Sequence, residues 1–396
     1  MGLTSGELEI REGRQVYRFG RTTADFPVRA QLEVNDPRFW RRLATSGSIG
    51  AGETYADGWW STDDLTAVIR IMVRNPQAAA GIDHGLARAL RPLHRLSHLL
   101  RANSRCGSRR NIAAHYDLSN DFFRLFLDPT LMYSCAVFPD EESSLEEASL
   151  HKLDLVCRKL ELGPDDEVIE IGGGWGGLAL HAARHYGARV VTTTISRAQH
   201  DLMQERVREA GLTDQITVLE KDYRDLPRAL GRQFDKLVSI EMIEAVGYRH
   251  LDDYFRVCSD LLKPQGMGLI QAIVIADQQF EDYRRSVDFI QRHIFPGGLI
   301  PSVAAITDRL ARVTDLRLTD LEDLTPHYAR TLRLWRERFM ANRQLVTDLG
   351  LPESFQRLWE FYFCYCEGGF LERTIGSCQL LLAKPLNRRE PIGSEV

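Results

Sequence analysis

No CxxC pair occurs among the seven cysteines of this 396-residue chain: Cys106, Cys135, Cys157, Cys258, Cys364, Cys366 and Cys378. An odd count without paired spacing excludes a disulfide framework or a zinc knuckle and points to a reducing, cytoplasmic setting, with no metal site expected. No segment reaches the ~18 apolar residues of a membrane span. The opening MGLTSGELEI has no apolar signal core, and Gly6 stands where a myristoylation signal needs Ser or Thr. A soluble protein is expected, still able to touch a membrane surface. Basic excess is also missing. Fifty Lys and Arg face 55 Asp and Glu, a net charge of −5, so no nucleic-acid partner is expected. Repeats and low-complexity tracts are absent. What remains is ordinary globular composition, 44% hydrophobic and 27% charged, on a chain long enough for two domains.

Short runs such as QVYRFG and VRAQLEV within residues 15–34 predict strands. DPRFWRRLAT (36–45) predicts a short helix after an Asp cap, and LTAVIRIMVRN (65–75) a helix stopped at Asn75-Pro76. Residues 1–80 therefore read as a small α+β unit. Residues 81–110 form an Arg-rich linker. Pro92 starts a candidate helix with Leu93, Leu96 and Leu100 on one face and Arg95 and Arg101 beside it. That segment suits an anionic membrane surface, or else a solvated linker helix. From residue 145 helices and strands alternate: SLEEASLHKLDLVCRKL, EVIEI, LALHAARHY, RVVTTTI, QHDLMQERVREAG, ITVLEKD, FDKLVSIEMI, LDDYFRVCSDLL, MGLIQAIVI. Such alternation predicts an α/β fold with a doubly wound, mostly parallel sheet in residues 111–396.

The run VIEIGGGWGG (168–177) places five glycines in six positions after a strand. It satisfies GxGxxG formally through Gly172, Gly174 and Gly177, a weak signal for a dinucleotide. Glu170 inside the strand, bulky Trp175, and the second strand's TTTISRAQ ending fit S-adenosylmethionine better. That ligand carries a cationic sulfonium and no phosphate. Asp222 and Tyr223, after the third strand, could accept from an adenine amino group and stack on its ring.

VIEIGGGWGGLALHAA, TTTISRAQ, HYDLSNDFFRLFL, MYSCAVF and HIFPGGLIPS resemble the cyclopropane-fatty-acyl-phospholipid synthases and their mycolic-acid relatives. GSIGAGETYADGWW is similar to the lipid-associated N-terminal unit of the longer members. The resemblance implies a class I, Rossmann-like methyltransferase. Such enzymes move a methyl group from S-adenosylmethionine to a cis double bond of a phospholipid acyl chain, releasing S-adenosylhomocysteine. The resulting carbocation closes to a cyclopropane after a bound bicarbonate removes a proton. Cofactor contacts then fall on Tyr133, Ser134, Glu170, Gly172, Gly174, Gly176, Thr194, Gln199, Asp222, Tyr223 and Arg224. The bicarbonate pocket falls on Cys135, Glu244, Gln271, Ile273 and Tyr362. Peripheral attachment to the inner face of the membrane and a homodimer are also implied.

These roles suit the chemistry. An alkene is a feeble nucleophile and needs a methyl donor held at close range. Aromatic faces stabilise a cation, and Phe122, Phe123, Tyr133, Tyr362 and Phe370 are candidates. Glu244 could accept the bicarbonate hydroxyl, act as the base itself, or merely cap the next helix. Three positions depart from the family pattern. Gly173 stands for a frequent Cys, Ala245 for a frequent His, and Gln271 for a His at the strand end. Gln cannot titrate near neutral pH. A weakened base would let a hydride shift precede proton loss, giving a methyl- or methylene-branched chain. Rivals of other kinds are a non-catalytic lipid-binding protein and a nicotinamide enzyme.

Overall fold

The computed structural model describes residues 2–77 and 118–388. The expected basic helix with Arg95 and Arg101 lies outside the described residues, as does the His115-Tyr116 start of the HYDLSNDFF motif.

Strands β1 (Gly6–Glu12), β2 (Gln15–Arg21), β3 (Arg29–Val34) and β4 (Trp60–Thr62) form a sheet in the order β2-β1-β3-β4. Leu8 and Ile10 of β1 and Ala30, Leu32 and Val34 of β3 alternate inward, as a sheet with one covered face requires. The first helix is longer than its sequence signal. It runs Arg38–Ala56 and is broken at Gly47, with φ 53°. Pro37, not Asp36, is its N-cap residue; Asp36 instead accepts the Arg38 amide and guanidinium. Helix Leu65–Arg74 starts at an Asp64 cap that accepts the Ala67 amide and ends before Asn75 as expected.

The larger sheet contains β5 (Glu167–Ile171), β6 (Arg189–Thr194), β7 (Ile216–Glu220), β8 (Phe234–Ile240), β9 (Leu262–Ile275), β10 (Arg317–Asp323) and β11 (Ile375–Ala383). Its order is β10-β11-β9-β8-β5-β6-β7. β7, β6, β5, β8 and β9 are mutually parallel, and β11 runs antiparallel to both its neighbours. The strand order reverses between β5 and β8, which opens a crevice at the strands' carboxyl ends. Helix Leu145–Lys159 is fixed by a capping box between Ser144 and Glu147.

Helix Glu353–Leu371 joins the two sheets. Gly368 lets Ile69 pack on it, since a Cβ there would sit 2.7 Å from Ile69 Cγ2. The buried Glu372 carboxylate takes Arg70 at 2.6 Å and also Arg74. Glu367, equally buried, takes Arg333 and the Thr66 hydroxyl, each at 3.0 Å. The carboxylates are buried but the arginines stay partly exposed, so solvent screens part of each attraction. The helix that carries Tyr362 is therefore clamped on both sides.

Candidate active site

The glycine loop follows β5 and turns into helix Gly177–Tyr186. Gly172, Gly174 and Gly176 have φ of 85°, 55° and 86°, a region that side chains rarely enter. The Gly172 and Gly173 amides both donate to Thr193 O, at 3.0 and 2.9 Å. Gly173 needs its missing side chain for another reason. A Cβ there would lie 2.0 Å from Thr192 Oγ1 and 2.8 Å from Glu170 Oε2. Thr192 donates to Glu170 at 2.6 Å, and the two fill the space under the loop. Burial pushes the Glu170 carboxyl up to about 7, against the Thr192 hydrogen bond and the nearby Lys152 charge. A buried acid beneath an open glycine backbone suits a cationic ligand, and a Cβ on Gly174 would meet nothing within 4 Å.

Thr194 ends β6, and its hydroxyl donates to Gln199 Oε1 at 2.8 Å. Asp222, beyond β7, caps the turn Tyr223–Asp225 and holds the Arg224 amide at 3.0 Å and guanidinium Nε at 2.8 Å. Its carboxylate thus shapes the turn. The Tyr223 ring packs edge-on against Tyr254, centroids 5.6 Å apart. Because β5, β6 and β7 are neighbours, these residues share one end of the sheet.

Of the expected bicarbonate residues, Cys135 and Gln271 meet at a residue the sequence reading passed over. Glu241, just after β8, has φ 48°, the left-handed region. Holding a non-glycine residue there costs about 1–2 kcal/mol, and strain of this kind clusters at functional sites. Its Oε1 accepts the Cys135 amide and Gln271 Nε2, both at 2.9 Å. Its Oε2 accepts the Tyr328 hydroxyl at 2.7 Å. Burial raises its pKa, opposed by Tyr328, Cys135, Gln271 and Lys152. The Cys135 thiol points elsewhere, toward the Ala136 and Leu324 carbonyls. Only the Cys135 backbone serves the cluster.

Glu244 does not cap a helix. Its Oε1 accepts the Ile273 amide at 2.5 Å, and its buried Oε2 has no hydrogen-bond partner. Although the residue as a whole is half-buried, its carboxyl is enclosed. Burial, then the Glu241 charge, raises its pKa to about 8. The Tyr133 and Tyr362 hydroxyls meet at 3.0 Å. Ser134 accepts from the fully buried Lys152 at 3.0 Å, and desolvation lowers that ammonium to about 8.

Aromatic rings wall the region. Tyr133 packs on Trp335 at 5.2 Å and Phe123 at 5.4 Å. Phe123 also packs on Trp175, whose indole donates to Asn120 at 2.8 Å. Phe122 packs on Trp359 inside the core. Phe370 lies stacked on Tyr328, 4.4 Å away and nearly parallel, so it backs a Glu241 ligand.

The family model described as mycolic acid cyclopropane synthetase matches residues 103–380. The chain belongs to this family. It is 40% identical over 370 residues to the tuberculostearic acid methyltransferase UfaA1 of Mycobacterium tuberculosis, covering 90% of this chain and 84% of that protein. It is 36% identical to the cyclopropane-fatty-acyl-phospholipid synthase of Escherichia coli K12, covering 90% and 88%. Among solved structures, the cyclopropane synthase MmaA2 of Mycobacterium tuberculosis matches 70% of this chain and 98% of its own, at TM-score 0.64 and 34% identity. CmaA1 complexed with S-adenosylhomocysteine and CTAB matches the same shares at TM-score 0.64 and 32%.

Membership makes the chain an S-adenosylmethionine-dependent methyltransferase. In SIEMIEA, Glu241 and Glu244 look alike as a strand runs into a turn. An acidic residue where the chain turns sharply was the one local signal. Lys152 was hidden too, because a Lys within LHKLDL reads as a solvent-facing helix position. Among the described residues, no helix is long and apolar enough to cross a membrane.

Proposed function

We propose that this methyltransferase alkylates the cis double bond of an unsaturated phospholipid acyl chain, and that the Glu241 carboxylate removes the surplus proton. The observation that carries the reading is the occupancy of the donors. The Cys135 amide and Gln271, both expected to hold bicarbonate, already donate to Glu241. A carboxylate oxygen has two lone pairs. Oε1 uses both in these bonds, whereas Oε2 uses one on Tyr328 and keeps one for a proton.

S-adenosylmethionine supplies the methyl group as an electrophile. The double bond gives its electron pair to form the new C–C bond, the S–C bond breaks, and the positive charge falls on the neighbouring chain carbon. Tyr133 and Trp335 offer ring faces to that charge, and the packed aromatic wall excludes water that would trap it. A hydride can then shift from the methyl-bearing carbon to the cationic one. Loss of a methyl proton to Glu241 leaves a methylene (C=CH2) branch on the open chain.

A second reading, ring closure with bicarbonate, is favoured by the unpartnered Glu244 Oε2 near the Ile273 amide. Phospholipid as substrate is supported by the Escherichia coli relative, whose match spans 90% of this chain. The test is incubation with unsaturated phospholipid vesicles and labelled donor, followed by proton NMR of the acyl chains. Vinylidene signals are expected. Upfield ring hydrogens would favour the second reading, and an absence of label in the acyl chains would refute both.

A further inference from the structure

Gln271 stands where the family pattern favours His, and its carbonyl leads away from the site along a chain of side chains. Gln271 on β9 and Gln379 on β11 are direct register partners, as are Gln379 and Glu322 on β10. One row of three adjacent strands therefore carries all three. Lys159, the last residue of helix Leu145–Lys159, places its Nζ between Gln379 and Glu322. Lys159 Nζ donates to Gln379 Oε1 at 2.8 Å. Gln379 Nε2 donates to Gln271 Oε1 at 3.0 Å, and Gln271 Nε2 donates to Glu241 Oε1 at 2.9 Å. Gln271 and Gln379 are at most 1% exposed and Lys159 is 6% exposed.

The direction of this chain is not open to choice. An ammonium has donors only. Gln379 must turn its oxygen to Lys159 and its nitrogen to Gln271, so Gln271 must turn its nitrogen to Glu241. Flipping either amide would bring two donors or two acceptors face to face. Bonds aligned head to tail polarise one another in a low-dielectric interior. We propose that Lys159, remote from the reacting atoms, fixes the polarity of a buried amide chain and thereby holds Glu241 as a proton acceptor. Lys159 is a positioning residue. Amides do not relay protons here; the chain transmits orientation and charge. The inference rests on Glu241 being the base.

Other groups also face Glu241: the Cys135 amide, the Tyr328 hydroxyl, the Lys152 ammonium and the Glu244 carboxyl. Glu322 alone is ion-paired to Lys159 among the described residues. Because these remain in a Lys159 variant, the test reads a shift and not an abolition. It compares pH profiles of kcat/KM for the wild type, Lys159→Met, Lys159→Arg and Gln379→Glu on unsaturated phospholipid vesicles. In Gln379→Glu the new carboxylate still accepts from Lys159 but cannot donate to Gln271, whose amide is then driven to turn its oxygen toward Glu241.

Lys159→Met is expected to move the acid limb upward by about a pH unit, a loss of about tenfold on the acid side of the limb that closes as pH rises onto the plateau. Lys159→Arg should retain the wild-type limb, and Gln379→Glu should move it further in the same direction. S-adenosylhomocysteine affinity should stay unchanged. Superimposable profiles, or a loss equal at every pH, would overturn the proposal; should Lys159→Met not fold, Gln379→Glu decides. Full activity in Glu241→Gln would instead refute the reading of the base. An inactive Glu241→Gln beside unshifted chain variants would sink the chain alone.

Discussion

Replacing Glu241 by glycine should turn a protein-borne base into a vacancy for a dissolved one. Two effects of opposite sign follow. The left-handed backbone at φ 48° relaxes, a gain of about 1–2 kcal/mol. The Cys135 amide, Gln271 Nε2 and the Tyr328 hydroxyl lose their acceptor. Each buried donor left unsatisfied costs about 1–3 kcal/mol. Tyr328 can rotate its hydroxyl, so two donors decide the sum, and a net loss of roughly 0–5 kcal/mol is expected. Bicarbonate has the charge and oxygen geometry to fill the space. At ten times its dissociation constant it would restore about 1.4 kcal/mol. The assay is thermal denaturation and turnover of Glu241→Gly against a bicarbonate series in degassed buffer, beside Glu241→Gln. Glycine should be inactive without bicarbonate and rescued, with a rise in Tm, as it is added. Glutamine keeps the shape but cannot take a proton, so a loss of 10²–10⁴-fold without rescue is expected. If Glu241→Gln works normally, or bicarbonate leaves Glu241→Gly unchanged in both readouts, the reasoning fails.

Gly173→Ala should weaken S-adenosylhomocysteine binding by about tenfold, since its Cβ would collide with Thr192 Oγ1; calorimetry should show Thr192→Ala partly restoring it, and additive losses would contradict the packing argument. Glu244 has a folded pKa raised from 4.5 to about 8, so its contribution is fully present below pH 4.5 and lost as pH rises toward 8. Denaturant midpoints of Glu244→Gln should therefore fall less than those of the wild type between pH 5 and 8. Equal slopes would count against the burial of that carboxyl. Gly52→Ala would put a Cβ 2.4 Å from the Phe289 ring. Overpacking of this kind costs about 1–3 kcal/mol, and an unchanged Tm would show that the ring yields freely.

Periodicity and punctuation alone were enough for much of this architecture. Buried apolar runs such as EVIEI and MGLIQAIVI, spaced by amphipathic helices, leave a parallel sheet as the efficient solution, and the carboxyl ends of its strands become the ligand edge. The glycine loop and the acid before it were legible for the same local reason. Backbone conformations that exclude side chains are written directly as glycine. The first helix signal, DPRFWRRLAT, stops at Thr45, whereas the helix resumes beyond a kink at Gly47 and brings Gly52 against Phe289.

Tertiary structure alone separated Glu241 from Glu244. Their sequence surroundings are nearly interchangeable, but their partners come from 106, 87 and 30 residues away for Glu241 and from 29 for Glu244. Charge state follows the same rule. A buried acid takes its pKa from the donors and charges the fold delivers to it, and those arrive from Cys135 in a loop, Gln271 on a strand, and Tyr328 and Lys152 on two helices. The sequence therefore determined what kind of ligand the sheet edge receives. Which carboxylate is surrounded by hydrogen-bond donors was decided only by long-range packing, because desolvation and hydrogen bonding act through space and not along the chain.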